Sequence, residues 1–88
     1  MSGYTVEWDK PALKQLAAIP SRDRSRILRR VTDLAGNPRP SGVTKLAGSD
    51  ALWRIKVGDY RVVYAIVDVQ LVVIVMRVAH RREVYRDL

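Results

Sequence analysis

The sequence predicts an α+β fold, ordered β-α-α-β-β-β along the chain, in which two N-terminal helices pack on a mainly antiparallel four-stranded sheet. Three observations lead to this prediction. Residues 4–8 alternate between apolar and polar side chains, residues 10–36 carry apolar side chains at helical spacing, and residues 53–78 return to strand patterns. Because 88 residues suffice for one hydrophobic core, we expect the chain, residues 1–88, to form a single domain.

The first strand and the two helices follow from local patterns. Tyr4, Val6 and Trp8 alternate with polar residues, which predicts a strand over residues 4–8. Asp9 suits the start of a first helix, which Ile19-Pro20 ends, and Gly36-Asn37-Pro38 stops the second. The apolar positions at helical spacing are Leu13, Leu16 and Ala17 in the first helix and Ile27, Leu28, Val31 and Leu34 in the second.

The next stretch predicts a β-hairpin that gathers three cations on one face. Arg54 and Lys56 alternate with apolar residues, and Gly58-Asp59 fits a two-residue turn because glycine accepts the positive φ that tight hairpins need. Such a turn sets Lys56 opposite Arg61, with Arg54 about 7 Å further along the same face. Like charges that face each other weaken a sheet, so this pattern favours a bound anion such as phosphate.

The segments on either side of the hairpin are less sharply patterned. Residues 39–50 have no strong period and read as a loop or a poorly formed strand. Asp68-Val69-Gln70 turns the chain into a last strand, Leu71 to Val78, whose nearly continuous apolar content predicts a central position in the sheet. The C-terminal residues 79–86 are expected to form a short helical turn or tail.

The charge of the chain points to a polyanionic partner. Sixteen Lys and Arg against nine Asp and Glu give a net charge of +7, and twelve of the sixteen cations are arginines, which bind phosphate with a planar fork. Nucleic acid, a ribonucleoprotein or an acidic protein would fit. The simpler alternative is a surface kept soluble by its charge.

Composition also excludes several classes of function. The absence of cysteine rules out disulfides, thiolate metal sites and a cysteine nucleophile. We find no signal-peptide pattern after Met1, and charged or polar residues interrupt the apolar run over residues 62–78, so we expect no membrane span and a cytoplasmic protein.

Four motifs together make the chain resemble the RelE-type toxins of the RelE/ParE superfamily, which act in bacterial and archaeal toxin–antitoxin pairs. They lie in the family's order and span most of the sequence. The matching segments are Tyr4-Thr5-Val6 with the helix pair, Lys45-Leu46-Ala47-Gly48, Arg54-Ile55-Lys56-Val57-Gly58-Asp59-Tyr60-Arg61-Val62-Val63-Tyr64, and His80-Arg81-Arg82-Glu83-Val84-Tyr85.

The resemblance implies an endoribonuclease that enters the ribosomal A site and cuts mRNA without a metal or other cofactor. In such cleavage the 2′-hydroxyl of one nucleotide attacks the adjacent phosphate, which requires a base, cations for the phosphorane and an acid for the leaving oxygen. The resemblance also implies a RelB-like antitoxin with an acidic segment, which silences the toxin in a hetero-oligomeric complex.

The resemblance assigns roles to particular residues. Lys56 and Arg61 match the family's basic cluster, Arg81 matches its C-terminal cation, and Tyr85 matches an aromatic group that stacks on or orients a nucleotide. Tyr85 would equally serve to anchor the tail in the core. The cations of the hairpin have a simpler interpretation too. Arg61 would fit a solvated strand residue or an ion pair with Asp59 or Asp68, and Arg54 and Lys56 would fit the polar face of an edge strand.

Further candidates carry weaker signals. His80 is a secondary candidate for the general acid, because imidazole exchanges protons near neutral pH, although a lone histidine is more often structural. Arg22, Arg26 and Arg29 form a stripe that fits a contact with ribosomal RNA, as does Lys45, but an ordinary solvated helix face is the simpler interpretation of the stripe.

Arg54 departs from the family pattern. Strongly active relatives can carry a second lysine here, whereas the guanidinium of Arg54 stays protonated and can clamp phosphate but hardly act as a base. The base role then falls to Lys56, whose neighbours Arg54 and Arg61 favour its neutral form.

Two other functions remain open at the level of sequence. A ParE-type toxin of the same fold would inhibit DNA gyrase through a protein interface and would need no catalytic cluster. A plain nucleic-acid-binding module would bind RNA in a salt-dependent manner without cutting it.

Overall fold

The computed structural model describes residues 3–49 and 51–83, and its elements follow the predicted order with one addition. Two helices and four of the strands lie where the sequence patterns placed them. The elements are β1 (Thr5–Trp8), α1 (Lys10–Ala17), α2 (Ser21–Leu34), β2 (Thr44–Lys45), β3 (Leu52–Val57), β4 (Tyr60–Val67) and β5 (Val72–His80), with a 3-10 turn over Asp68–Gln70.

The sheet has five strands in the order β1-β5-β4-β3-β2, so the prediction of four strands was wrong by one. The extra strand, β2, pairs only Thr44 with Arg54 and Lys45 with Trp53. Two paired residues are too few to produce a readable alternation, which is why residues 39–50 showed no period. The mainly antiparallel character is confirmed, since only β1 runs parallel to its neighbour, β5.

Both helices pack on the same face of the sheet, as predicted, and their contact with it forms the hydrophobic core. Leu13 and Leu28, which were assigned to the apolar stripes, lie at the margin of this core and are 49% and 41% exposed. The buried core side chains are Ala12, Leu16, Ile19, Ile27, Val31 and Leu34 from the helical region and Ile55, Val57, Val62, Tyr64, Ile66, Val73, Val75 and Val78 from the sheet.

Helix α1 also closes one edge of the sheet. Strand β1 covers only the first part of β5, from Val72 to Val75. Beyond Val75, Gln15 of α1 bonds to this edge of β5: its side-chain oxygen accepts a hydrogen bond from the backbone N–H of Val78 at 2.7 Å. In the described part of the chain, neither helix is long and apolar enough to cross a membrane.

Candidate functional site

The hairpin between β3 and β4 has the predicted two-residue turn. Val57 pairs with Tyr60 across Gly58 and Asp59, and Lys56 pairs directly with Arg61. Gly58 has a φ of +59°, the conformation that glycine adopts without a steric penalty at the first position of a type II′ turn. The facing pair of cations inferred from the sequence is therefore present.

Arg54, Lys56 and Arg61 share the face of the sheet that lies opposite the two helices, which we call the open face. Side chains alternate along a strand, and Ile55 and Val57 point into the core, where they are 1% and 5% exposed. Arg54 and Lys56 therefore point the other way, and Arg61 joins them as the partner of Lys56. The structure brings three of the predicted site residues together.

Arg77 is a fourth cation on the open face, and the sequence pattern gave it no role. On β4, Val63 pairs with Arg77 while the next residue, Tyr64, pairs with Val75, so Met76 is an extra residue that forms a β-bulge. Strict alternation from Val73 and Val75 would have turned Arg77 into the core. The bulge instead points Arg77 to the open face and leaves Val78 buried.

Val63 links the two arginines across the sheet. It is the cross-strand partner of both Arg54 on β3 and Arg77 on β5, and it is 0% exposed although it faces away from the helices. The apolar stems of the two arginines therefore start on either side of a buried apolar residue, and such stems can leave their charged ends near solvent. The open face therefore carries cations above an apolar floor.

The side chain of Arg54 also bonds to the edge of the sheet. Its guanidinium donates a hydrogen bond to the Thr44 hydroxyl at 3.3 Å, which ties β2 to β3. Beside it lies a groove of about 640 Å³, bordered by Leu52, Arg54 and residues 44–49. The open face thus continues from the cations into a concave edge.

Arg61 bonds to backbone carbonyls of its own hairpin. Its guanidinium donates to the carbonyl oxygens of Gly58 at 3.1 Å and Tyr60 at 3.0 Å. Among the described residues it forms an ion pair with neither Asp59 nor Asp68, the two partners considered from the sequence. Asp68 follows the far end of β4, about 23 Å along the strand from Arg61. There it is bound by Arg39 at 2.8 Å and by the Tyr4 hydroxyl at 2.6 Å. Those hydrogen bonds, from Arg39 foremost, hold the pKa of the Asp68 carboxyl below its usual range.

Arg81 lies directly after β5 and is anchored to the hairpin turn. Its backbone N–H donates a hydrogen bond to the carbonyl oxygen of Asp59 at 2.7 Å, which continues the β4–β5 pairing by one step. The predicted C-terminal cation therefore stands beside the turn that joins Lys56 to Arg61. Tyr85 lies outside the described residues.

His80 lies on the helix side of the sheet. It pairs with Tyr60, and the two rings form an edge-to-face contact with centroids 5.9 Å apart. Its Nδ1 accepts a hydrogen bond from the backbone N–H of Arg82 at 3.3 Å. The structure therefore separates the secondary acid candidate from the open-face cations.

The arginines of α2 support the hairpin from behind. Arg30 donates to the carbonyl oxygen of Lys56 at 3.5 Å, and a Cβ added to Gly58 would lie 3.2 Å from Nη1 of Arg26. Arg26 also lies 3.7 Å from the Asp23 carboxylate. Arg22 and Arg29 are exposed on α2.

Lys45 lies on the edge strand β2, opposite Trp53. Its Nζ stands 5.8 Å from the centroid of the Trp53 ring, and Trp53 packs against the core on the helix side. The RNA-contact candidates Arg22, Arg26 and Arg29 thus lie on α2, away from the open face, whereas Lys45 borders the groove beside Arg54.

Comparison with known proteins identifies the family. A model of the ParE toxins of type II toxin–antitoxin systems, parDE, matches residues 6–85. The chain belongs to the RelE/ParE superfamily of toxins. It is 31% identical to the mRNA interferase toxin RelE of Escherichia coli strain K12 over 88 residues, which cover 96% of this chain and 92% of the relative.

Solved structures of RelE toxins share the fold described above. The archaeal RelE–RelB complex from Pyrococcus horikoshii contains a chain that matches with a TM-score of 0.80 and 30% identity, covering 90% of this chain and 96% of that one. The intact RelBE toxin–antitoxin complex of E. coli matches with a TM-score of 0.78 and 29% identity, covering 88% and 95%. The two-helix, mixed-sheet architecture is therefore that of the superfamily.

Proposed function

We propose that this protein is the toxin of a type II toxin–antitoxin system and that it cuts mRNA bound in the ribosomal A site. The observation that carries the proposal is the pairing of Lys56 with Arg61 beside Arg54 on the open face. A sheet loses stability from such a pair unless a bound anion offsets the repulsion. The similarity to an mRNA interferase at 31% identity supports the same assignment.

The proposed chemistry is a metal-free attack of the mRNA 2′-hydroxyl on the neighbouring phosphate. The new P–O2′ bond replaces the P–O5′ bond, which leaves a cyclic phosphate and a 5′-hydroxyl whose oxygen takes up a proton as it departs. Lys56, exposed and flanked by cations, would take the hydroxyl proton, while Arg61 and Arg54 would bind the phosphate oxygens as negative charge develops. Arg81, anchored next to the hairpin turn, would bind the phosphate or the leaving group. Tyr85 would stack on or orient a nucleotide.

The proposed partners follow from the function and from the relatives. The relatives from P. horikoshii and E. coli form complexes with RelB antitoxins, and a RelB-like antitoxin with an acidic segment would suit a chain of net charge +7. A toxin–antitoxin hetero-oligomer and a single toxin domain over residues 1–88 complete the proposal. Because its target is the translating ribosome, the protein would act in the cytoplasm.

The second candidate is inhibition of DNA gyrase, which the match to the ParE toxin model over residues 6–85 favours. That function would act through a protein interface and would not require the cations of the open face.

Mapping of 5′ ends distinguishes the two functions. Wild-type protein, Lys56→Ala and the control Lys10→Ala, an exposed cation on α1, are added to a translating extract, and new mRNA 5′ ends are located by primer extension. We expect cuts in register with codons for the wild type and the control, and few or none for Lys56→Ala. A parallel gyrase supercoiling assay should show no inhibition. Inhibited supercoiling without mRNA cuts would replace the nuclease proposal with the gyrase function.

A further inference from the structure

Arg77 connects the open face to the segment that carries Arg81. Its guanidinium donates a hydrogen bond to the carbonyl oxygen of Glu83 at 2.9 Å, while the bulge in β5 keeps its stem beside Val63. The residue therefore spans from the centre of the sheet to the far end of the turn over residues 81–83. This bond ties the sheet to the end of the turn.

The turn over residues 81–83 is consequently fixed at both ends. At its start the N–H of Arg81 bonds to the carbonyl of Asp59 at 2.7 Å, and inside it the N–H of Glu83 bonds to the carbonyl of His80 at 2.8 Å. Arg77 holds the end of the turn through Glu83. Without the bond from Arg77 the turn would keep its bonds to Asp59 and His80, but its far end would be held less firmly and the Arg81 side chain would be freer to move.

We propose that Arg77 is a positioning residue that orients Arg81 toward the open face for RNA cleavage. The inference rests on the proposed function. A half-buried guanidinium bound to a carbonyl is suited to such a tie, because arginine offers several donors in a rigid fork and its stem starts beside its cross-strand partner, Val63. The bulge at Met76 is what makes the arrangement possible, and bulges commonly redirect side chains next to active sites.

Three substitutions distinguish the positioning role of Arg77 from direct contact with phosphate and from a contribution to folding stability alone. Arg77→Met keeps an apolar stem over Val63 but removes the charge and the donor. Arg77→Lys keeps the charge and one donor and should rescue part of the effect. Arg81→Ala removes the side chain that Arg77 is proposed to position.

The experiment measures single-turnover mRNA cleavage on programmed ribosomes by the chain of residues 1–88. We expect Arg77→Met to slow cleavage about 10-fold or more while affinity stays within about 2-fold, because an oriented group acts on the reaction rather than on binding. In the Arg81→Ala background the same substitution should slow cleavage by less than about 2-fold, since the residue that it orients is gone. Amide exchange of Arg81 in the free protein should accelerate in Arg77→Met and recover partly in Arg77→Lys.

Other outcomes overturn the inference. If the fold-decrease in cleavage rate of the double variant equals the product of the two single-variant decreases, Arg77 acts independently of Arg81. A decrease of about 0.7 in the slope of log K against log salt would identify Arg77 as a direct phosphate contact. If the wild-type protein cleaves no mRNA, the proposed function fails and the positioning role fails with it. If instead the wild type cleaves mRNA but Arg81 amide exchange is unchanged in Arg77→Met, only the positioning role of Arg77 is refuted.

Discussion

Lys56 and Arg61 face each other across the β3–β4 hairpin, at a position where a sheet is stabilised by opposite charges and weakened by like ones. The helices support this pair from behind, because Arg30 bonds to the Lys56 carbonyl and Arg26 lies against Gly58. These contacts join the hairpin that carries the two cations to α2. Function and stability are expected to conflict at this pair.

Lys56→Gln should therefore stabilise the protein while it removes cleavage. Relief of the repulsion with Arg61 should raise the free energy of unfolding by about 0.2–1 kcal/mol, which corresponds to a few degrees in Tm. The gain should shrink in about 1 M salt, where exposed charges are screened. Thermal unfolding at low and high salt measures it, with Arg29→Gln, an exposed cation on α2, as the charge-matched control. A lower Tm for Lys56→Gln at low salt would contradict the repulsion.

Gly58→Ala should destabilise the hairpin for two separable reasons. Its φ of +59° costs a residue with a Cβ about 1 kcal/mol, and the new methyl group would lie 3.2 Å from the Arg26 guanidinium. Urea unfolding of Gly58→Ala and of the double variant with Arg26→Ala separates backbone strain from the contact. Gly36→Ala, whose Cβ would meet only the Asp33 carbonyl at 3.7 Å, serves as the control. Equal stability of Gly58→Ala and wild type would show that the turn tolerates other residues.

The hairpin was predictable from sequence because a two-residue glycine turn fixes the register of both strands, and the register decides which side chains face each other. The position of Arg77 was not predictable. A period of two counted from Val73 places it in the core, and only the bulge opposite Val63 and Tyr64 reverses its direction. Likewise β2 depends on pairing with Arg54 and Trp53, which lie about ten residues away, rather than on any local pattern.

Tyr64 should make stability fall at alkaline pH. The side chain is 0% exposed, its hydroxyl donates to the carbonyl of Pro38 at 2.7 Å, and burial raises its pKa to about 12. The folded state holds the proton more tightly than the unfolded chain, where a tyrosine titrates near pH 10, so this stabilisation is complete below about pH 10 and is lost as pH rises through about 12.

The variant Tyr64→Phe tests whether Tyr64 causes this loss of stability at alkaline pH. At pH 7 it should lose about 1 kcal/mol through the missing hydrogen bond to Pro38. Between about pH 10 and 12 the wild type should lose stability faster than the variant, so that the difference between them shrinks. Urea unfolding at pH 7, 10 and 11 measures this trend. If the free energy of unfolding falls equally with pH in both proteins, Tyr64 is not the cause of the alkaline loss of stability.

Arg54 should contribute one phosphate contact that a lysine can replace. Arg54→Gln removes a charge from the open face and should reduce the salt slope of binding to a short single-stranded mRNA fragment by about 0.7. Arg54→Lys keeps the charge and should keep the slope, and its amine, unlike a guanidinium, can also lose a proton, so cleavage should be at least as fast as in the wild type.

Thr44→Val provides the matched control for Arg54, because it removes the hydroxyl that accepts the Arg54 hydrogen bond and leaves every charge in place. Fluorescence anisotropy at several KCl concentrations should give this variant the wild-type slope, even where the looser attachment of β2 lowers its stability. An unchanged slope for Arg54→Gln would mean that the phosphate is bound by Lys56 and Arg61 without Arg54. The function of Arg54 would then be confined to tying β2 to β3 through Thr44, and its substitution by lysine should lower stability without changing RNA affinity.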